Sequence, residues 1–341
     1  MHHVHLRRAA GALVLTLAMT AGCGSAGSGE STADSTADSA AGAGSATRVF
    51  AADNGEVTIP ADPKRVVATG YAVPALIEAD AALVGISSWQ RGLPLMSDED
   101  RATYDRLEKI AGETAAETNY EAIAKAKPDL IVIGVPAPAM ADLDLDRLKS
   151  IAPVVAIGPT VPSAWRELSQ RQSDAAGRAV NFGEAKAAYE KKAGELTAKY
   201  KDVLAGLKFG HVGAYGEIAG GTFQREFAGS WGTNIATDIG VTYYGEVKKK
   251  GGNAADVSEY PSIEELNESL GEADAITYTV QADGKPNEAV QYVLDSKLWK
   301  SLPAVKAGRT FPVRYSEAAT YSSAMKTLDA IDQAFAPLLA Q

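Results

Sequence analysis

GEAKAAYEKKAGELTAKYKDVLA, residues 183–205, is the stretch on which the fold turns. Ala, Glu and Lys run through it without a proline, which favours an uninterrupted helix. Asn181 stands just ahead of it as an N-cap. At 1.5 Å per residue such a helix covers on the order of 30 Å, about the diameter of a small domain. On either side, short β-branched runs alternate with amphipathic stretches. Strands are expected at 66–69, 83–86, 130–133 and 154–157 before the helix, and at 211–215, 275–278 and 310–313 after it. The pattern predicts an α/β protein with mainly parallel sheets in two lobes joined by one long rigid helix. The N-terminal lobe spans 48–180, the connecting helix 181–206 and the C-terminal lobe 207–341.

The N-terminal end reads differently. Arg7 and Arg8 lead into an apolar run from Ala9 to Ala21 that ends in Thr20-Ala21-Gly22-Cys23. This is the layout of a secretory signal, and the run is too short to span a bilayer. The small residues before Cys23 resemble a bacterial lipobox, so residues 1–22 are expected to be removed and Cys23 to carry lipid on the extracytoplasmic face of the cell membrane. Residues 24–47, rich in Gly, Ser, Ala, Thr and Asp, read as a flexible tether. Gly22, Gly24 and Gly27 match a dinucleotide fingerprint by letters alone; with no strand before them and no helix after, the match carries nothing.

Composition narrows the chemistry. Cys23 is the only cysteine among 341 residues, so a lipidated chain has neither a disulfide nor a free thiol. Three of the four histidines, His2, His3 and His5, lie in the signal segment, and His211 alone cannot build a His-rich metal site. His211 is read as structural, and no metal bound directly by the protein is expected. The net charge of −10 becomes −12 once residues 1–22, with two arginines and no acid, are gone. An acidic surface argues against nucleic acid as a partner. Lys248-Lys249-Lys250 reads as a solvated loop.

A weak internal repeat links the two lobes. Asn119-Tyr120-Glu121 opens a helical stretch that ends at Pro128-Asp129 before a strand; Ser262-Ile263-Glu264 opens another that ends at Asp274 before its strand. In each, a cap residue stands two positions before a glutamate, and Ser262 with Glu265 forms a capping-box pattern. Singly, Glu121 and Glu264 complement a helix N-terminus. As a symmetric pair of exposed carboxylates they suit arginines on a two-fold partner.

Pro63-Lys64-Arg65-Val66-Val67, Lys127-Pro128-Asp129-Leu130-Ile131 and Leu298-Trp299-Lys300-Ser301-Leu302-Pro303-Ala304-Val305, with the Cys23 anchor and the long helix, resemble the substrate-binding lipoproteins of iron-siderophore ABC importers. This is the class III, ferric hydroxamate type of periplasmic binding protein. The resemblance implies a monomer with a cleft between two rigidly linked lobes, no enzymatic activity and no cofactor. It also implies docking on the permease through one glutamate per lobe, at Glu121 and Glu264. The ligand would be an iron(III)-siderophore complex.

Ligands of open α/β lobes lie beyond the carboxyl ends of strands. The candidates there are Tyr71, Trp89 and Arg91 in the first lobe, and Tyr215, Phe223, Arg225, Trp231, Tyr278, Arg314 and Tyr321 in the second. Arginines can donate to chelating oxygens while aromatic rings pack on apolar linkers. Trp165 and Trp299 read as core. Neutral aromatics outnumber arginines in an acidic chain, which favours a neutral or cationic ferric trishydroxamate such as a ferrioxamine over an anionic triscatecholate. Some hydroxamate binders carry an arginine just before the first docking helix; here Gly112 and Glu113 stand there.

Three alternatives remain open at this level. A haem or corrinoid binder would use Tyr71, Tyr215 or Tyr278 as a metal ligand. A sensor accessory could share the scaffold. An anchored hydrolase is disfavoured, because no Gly-x-Ser-x-Gly elbow or His-Glu-x-x-His helix occurs.

Overall fold

In a computed structural model, which describes residues 46–216, 218–248 and 256–340, the strands fall into a hairpin and two five-stranded sheets. The signal segment, Cys23, the tether up to residue 45, Lys249 and Lys250 lie outside the described residues. Among the described residues no helix is long and apolar enough to cross a membrane.

Strands β1 (Thr47–Ala52) and β2 (Gly55–Pro60) form the antiparallel hairpin. The first sheet contains β3 (Val66–Gly70), β4 (Leu83–Ser87), β5 (Lys109–Ala111), β6 (Leu130–Gly134) and β7 (Val154–Ala156). They are parallel, in the order β5-β4-β3-β6-β7. Its strands are apolar on both faces because helices cover both. Val66, Ala68, Leu130 and Val132 pack with Leu76 and Ile77 of the helix Ala72–Glu78. Val67, Ile131 and Ile133 pack on the other side with Ile123 and Leu148.

The second sheet contains β8 (Phe209–Gly213), β9 (Gln224–Glu226), β10 (Ser258–Glu259), β11 (Ala275–Thr279) and β12 (Thr310–Val313), in the order β10-β9-β8-β11-β12. Strands β8, β11 and β12 are parallel, but β9 runs antiparallel to both of its neighbours. This sheet is therefore mixed. The seven strands read from sequence are all present; the short or edge strands β1, β2, β5, β9 and β10 were not foreseen.

The long helix runs from Ala179 to Leu204, 26 residues. It begins earlier than the sequence suggests: Gly177, at φ +70°, ends the helix Trp165–Ala175, and the chain turns directly into the next. Asn181 is therefore inside the helix and caps nothing. Phe182, Tyr189, Ala193, Leu196, Tyr200 and Leu204 form one buried stripe at three-, four- and seven-residue intervals. The stripe packs on the C-terminal helix Tyr321–Phe335, where the Tyr200 hydroxyl donates to the Asp332 carbonyl at 2.9 Å.

The long helix is not the sole link between the lobes. The Ser163 N–H donates to the Gly229 carbonyl (3.1 Å), the Trp165 indole N–H to Asn234 Oδ1 (3.0 Å) and the Ser322 N–H to Glu78 Oε2 (2.9 Å). A connection made of several buried hydrogen bonds opposes hinge motion.

Candidate functional site

The carboxyl ends of β3 and β4 deliver the first wall of the cleft. Where β3 ends, the Tyr71 N–H donates to the Gly134 carbonyl at 2.9 Å. A Cβ on Gly134 would lie 2.3 Å from the Ala72 nitrogen, so only glycine lets the two strand ends approach closely enough to turn Tyr71 inward. Past β4, the Trp89 N–H donates to the Tyr104 hydroxyl at 3.0 Å, which fixes the loop carrying Trp89 and Arg91.

The second lobe answers with Trp231 and Tyr215. The rings of Tyr71 and Trp231 stack across the lobes, centroids 6.0 Å apart and 5° from parallel. Trp89 meets Tyr71 edge-on at 4.9 Å, and Tyr215 lies 5.7 Å from Trp231. The Arg91 guanidinium sits 4.2 Å from the Trp89 ring centroid and 4.7 Å from that of Tyr71, within cation–π range. Five residues named from sequence, Tyr71, Trp89, Arg91, Tyr215 and Trp231, thus form one cross-lobe cluster.

Beside this cluster is a cavity of about 260 Å³. Arg91, Pro94 and Leu95 line it from the first lobe, and Thr279, Gln281, Asn287 and Glu317 are among its lining residues from the second. Arg91 Nε lies 3.8 Å from Glu113 Oε1. Burial pushes the Glu317 carboxyl above the usual glutamate range, Arg91 pulling it back in part and Glu113 adding to the rise.

The other five candidates are placed elsewhere. Phe223 is fully buried with Leu266, Leu270, Val290 and Val293 in the core of the second lobe. Arg225 is on β9 rather than in a loop. Alternation along the strand turns Gln224 and Glu226 to one side, against Gly213, and Arg225 to the other. There it is 1% exposed, lies over Phe227 and Tyr244, and donates to the carbonyls of Glu226 (2.8 Å) and Tyr244 (3.0 Å). Tyr321 opens the C-terminal helix and packs on Trp165, Phe182 and Tyr189 beneath the long helix. Tyr278 is half-buried, edge-on to Trp299 in the core, and Arg314 is exposed beside Gly284. Trp165 and Trp299 are core residues, as read.

Sequence reasoning missed Glu113, Glu226 and Glu317. Glu317 stands three residues beyond Arg314, past Tyr315, which adopts the left-handed conformation at φ +57°. A turn that starts on a bulky residue with positive φ has no sequence signature. Glu226 sits directly under the cluster, where its Oε2 accepts the Gly232 N–H at 2.7 Å. A Cβ on Gly232 would be 2.0 Å from His211 Nε2, so the residue after Trp231 has to be glycine. His211 lies in the middle of β8, two residues later than expected from a strand beginning at His211. It is fully buried, bonded to Thr277 (2.7 Å) and Thr279 (3.1 Å). Burial, assisted by Arg225, lowers its pKa to about 3. At 3.6 Å from Glu226 it therefore forms no ion pair, and burial raises Glu226 to about 7.

The helix starts that carry Glu121 and Glu264 are as read. Asn119 Oδ1 accepts the Ala122 N–H at 3.0 Å, and Ser262 with Glu265 completes a capping box. Both Glu121 and Glu264 are exposed. The correspondence continues one step further: Asp129 accepts the Lys64 N–H (2.8 Å) at the entrance to β3, and Asp274 accepts the Lys208 N–H (2.8 Å) at the entrance to β8.

The sequence matches the periplasmic binding protein family over residues 66–314, a span that starts with β3 and ends just past β12. The iron(3+)-hydroxamate-binding protein YxeB of Bacillus subtilis (strain 168) is 26% identical over 306 residues, covering 88% of this chain and 87% of its own. The probable siderophore-binding lipoprotein YfiY of the same organism is 28% identical over 266 residues, 75% of this chain and 76% of its own. Among solved structures, the siderophore periplasmic binding protein from the fuscachelin gene cluster of Thermobifida fusca has a TM-score of 0.64 and 30% identity, covering 83% of this chain and 99% of that one. With the match spanning both sheets, the long helix and the cleft between them, the chain belongs to the periplasmic binding protein family.

Proposed function

We propose that this chain is an extracytoplasmic lipoprotein, anchored through Cys23, that captures a ferric siderophore between its lobes and delivers it to an ABC permease. The observation that carries the reading is the cross-lobe cluster of Tyr71, Trp89, Tyr215 and Trp231 with Arg91 laid on it. Tyr71, Trp89 and Trp231 are buried, and they form a rigid platform that holds the Arg91 cation at the cavity wall, which suits a ligand with partly anionic oxygens. A trishydroxamate such as a ferrioxamine fits best, because among the described residues Arg91 is the one basic residue lining the cavity and it faces Glu113 and Glu317. Glu121 and Glu264, exposed at matching corners, are the contacts for the permease.

Fluorescence titration of the purified protein with ferric trishydroxamates, ferric triscatecholates, haem and cobalamin tests the reading. The expected result is saturable tryptophan quenching by the hydroxamates at the lowest concentrations. A haem Soret shift with no hydroxamate response would replace the reading with haem binding. Of the tyrosines that could serve there, Tyr71 and Tyr278 are pushed up by burial, which opposes their ionisation. Labelling with radioactive palmitate, lost in Cys23→Ser, tests the anchor.

A further inference from the structure

Among the described residues one cation, Arg91, and one carboxylate, Glu317, line the cavity, and they are not equally engaged. Arg91 is engaged by protein over part of its surface, its side chain 35% exposed where it lines the cavity. Its guanidinium lies on two aromatic rings, its Nε faces Glu113, and its own N–H donates to Glu113 Oε1 at 3.4 Å. Glu317 lines the same cavity. Among the described residues its carboxylate accepts no hydrogen bond and has no cation within 4.0 Å, the distance that defines an ion pair here. The remaining polar lining, Thr279, Gln281, Asn287 and Ser316, is neutral.

Glu317 is half-buried and lines the cavity, so its carboxylate is open to a donor arriving there, and a charge-assisted contact is stronger than a neutral one. Glu317 is held in place by the left-handed turn at Tyr315, whose carbonyl accepts the Thr327 hydroxyl at 2.5 Å, so it cannot simply swing out with a loose loop. Its complement is a donor brought in by the ligand.

Building on the siderophore reading, we infer that Glu317 is a specificity residue of the cleft that receives a cationic arm of the ligand, a primary ammonium attached to the ferric chelate. The chelate lies against Arg91, whose guanidinium rests on the buried aromatic cluster, and the ammonium reaches across the cavity to the opposite wall. Complexes whose periphery is anionic meet Glu113 and Glu317 and are rejected.

The test compares two ligands differing in one group: a linear ferric trishydroxamate ending in a free primary amine, and the same complex with that amine acetylated. The unsubstituted protein is expected to bind the free amine about ten-fold more tightly, the size of one charge-assisted contact. In Glu317→Gln the ratio of the two dissociation constants falls to near one. Each protein is compared with itself, so a partly unfolded preparation lowers both titrations alike and leaves the ratio intact. Equal binding of the two ligands by the unsubstituted protein overturns the inference and leaves the siderophore reading standing. A preference that survives in Glu317→Gln overturns the assignment to this residue. If neither ligand binds, the hydroxamate reading and this inference fall together.

Discussion

The two lobes are built on the same plan up to their edges and differ in what they bury. Each opens a strand with a lysine whose N–H is held by an aspartate from the neighbouring strand, Lys64 by Asp129 and Lys208 by Asp274. Each places a capped glutamate ahead of that second strand. The first lobe then adds only parallel strands and buries an almost wholly apolar sheet. The second adds β9 and β10 in antiparallel register, and these carry Arg225, Glu226 and Glu259, which with His211 on the adjacent β8 are all the buried charged or imidazole side chains among the described residues. One sheet thus buries almost nothing but apolar side chains, while the other buries charge as well. Parallel strands fed by helices have no position facing the site that is not also core. An antiparallel edge strand presents alternate residues to two environments.

That contrast can be broken by substitution, and the largest effect is expected where a buried charge is lost. Arg225→Ala strips the donors from two buried carbonyls and leaves a void, and should lower stability by about 4 kcal/mol. Its counterpart in the apolar wall, Ile131→Val, removes one methyl group and should cost about 1 kcal/mol. Equal midpoints in urea denaturation would erase the distinction.

The next effect depends on pH. Folding raises the Glu226 carboxyl from 4.5 to about 7. Between those values the unfolded chain has released a proton that the folded chain retains, so this group's contribution to stability falls as pH rises through that window. His211 has the opposite sign. Its folded pKa is lowered from 6.5 to about 3, so its neutral burial costs stability as pH falls below 6.5. In the unsubstituted protein the two slopes offset between about 4.5 and 6.5. Glu226→Gln removes one of them, and its stability relative to the unsubstituted protein should improve by about 3 kcal/mol between pH 4.5 and pH 8. A gap that is constant across that range would mean that Glu226 is ionised in the fold.

Ligand binding probes the cross-lobe cluster against the single-lobe core. Trp231→Ala should weaken hydroxamate binding roughly 10- to 100-fold, because a buried aromatic anchor is lost. Trp299→Phe, confined to the core of the second lobe, should leave affinity where it was. The smallest effect on the fold is expected at the surface. Glu121→Lys with Glu264→Lys should shift stability by less than about 0.5 kcal/mol and leave ligand titrations unaltered. Uptake by whole cells should be lost, and uptake that persists would remove both residues from the docking role.

Fold and site were not equally legible in the sequence. The seven main strands could be read because a strand buried on both faces is an unbroken apolar run, such as Leu130-Ile131-Val132-Ile133. Strands β9 and β10, only three and two residues long, carry too few side chains to show any period. Trp89 and Arg91 stood out because a large aromatic in a Ser, Gly and Pro-rich loop needs a surface to meet. The rule that ligands lie past strand ends also gathered Tyr71, Tyr215 and Trp231. It misplaced Arg225 and Phe223 because it cannot say where a loop becomes a strand, and therefore which way each side chain faces. It stopped short of Glu317 because the turn at Tyr315 adds residues to the cleft that no local pattern announces.

The hairpin at the start of the described chain has a mechanical side. Arg48, the second residue of β1, holds the carboxylate of Asp174, and at the far end of the hairpin Asn54 bonds both the Val154 carbonyl (3.0 Å) and the Ala156 N–H (2.9 Å) of β7. Because Thr47 pairs with Pro60, the two open ends of the hairpin lie side by side. A pull on the chain ahead of Thr47 would, without other attachments, peel β1 from β2 one rung at a time. The grip of Arg48 shares that load and passes part of it sideways into the helix Trp165–Ala175. The hairpin therefore acts like the clamp where a cable enters its housing: a pull on the chain ahead of it is spread over the casing before it can open the seam.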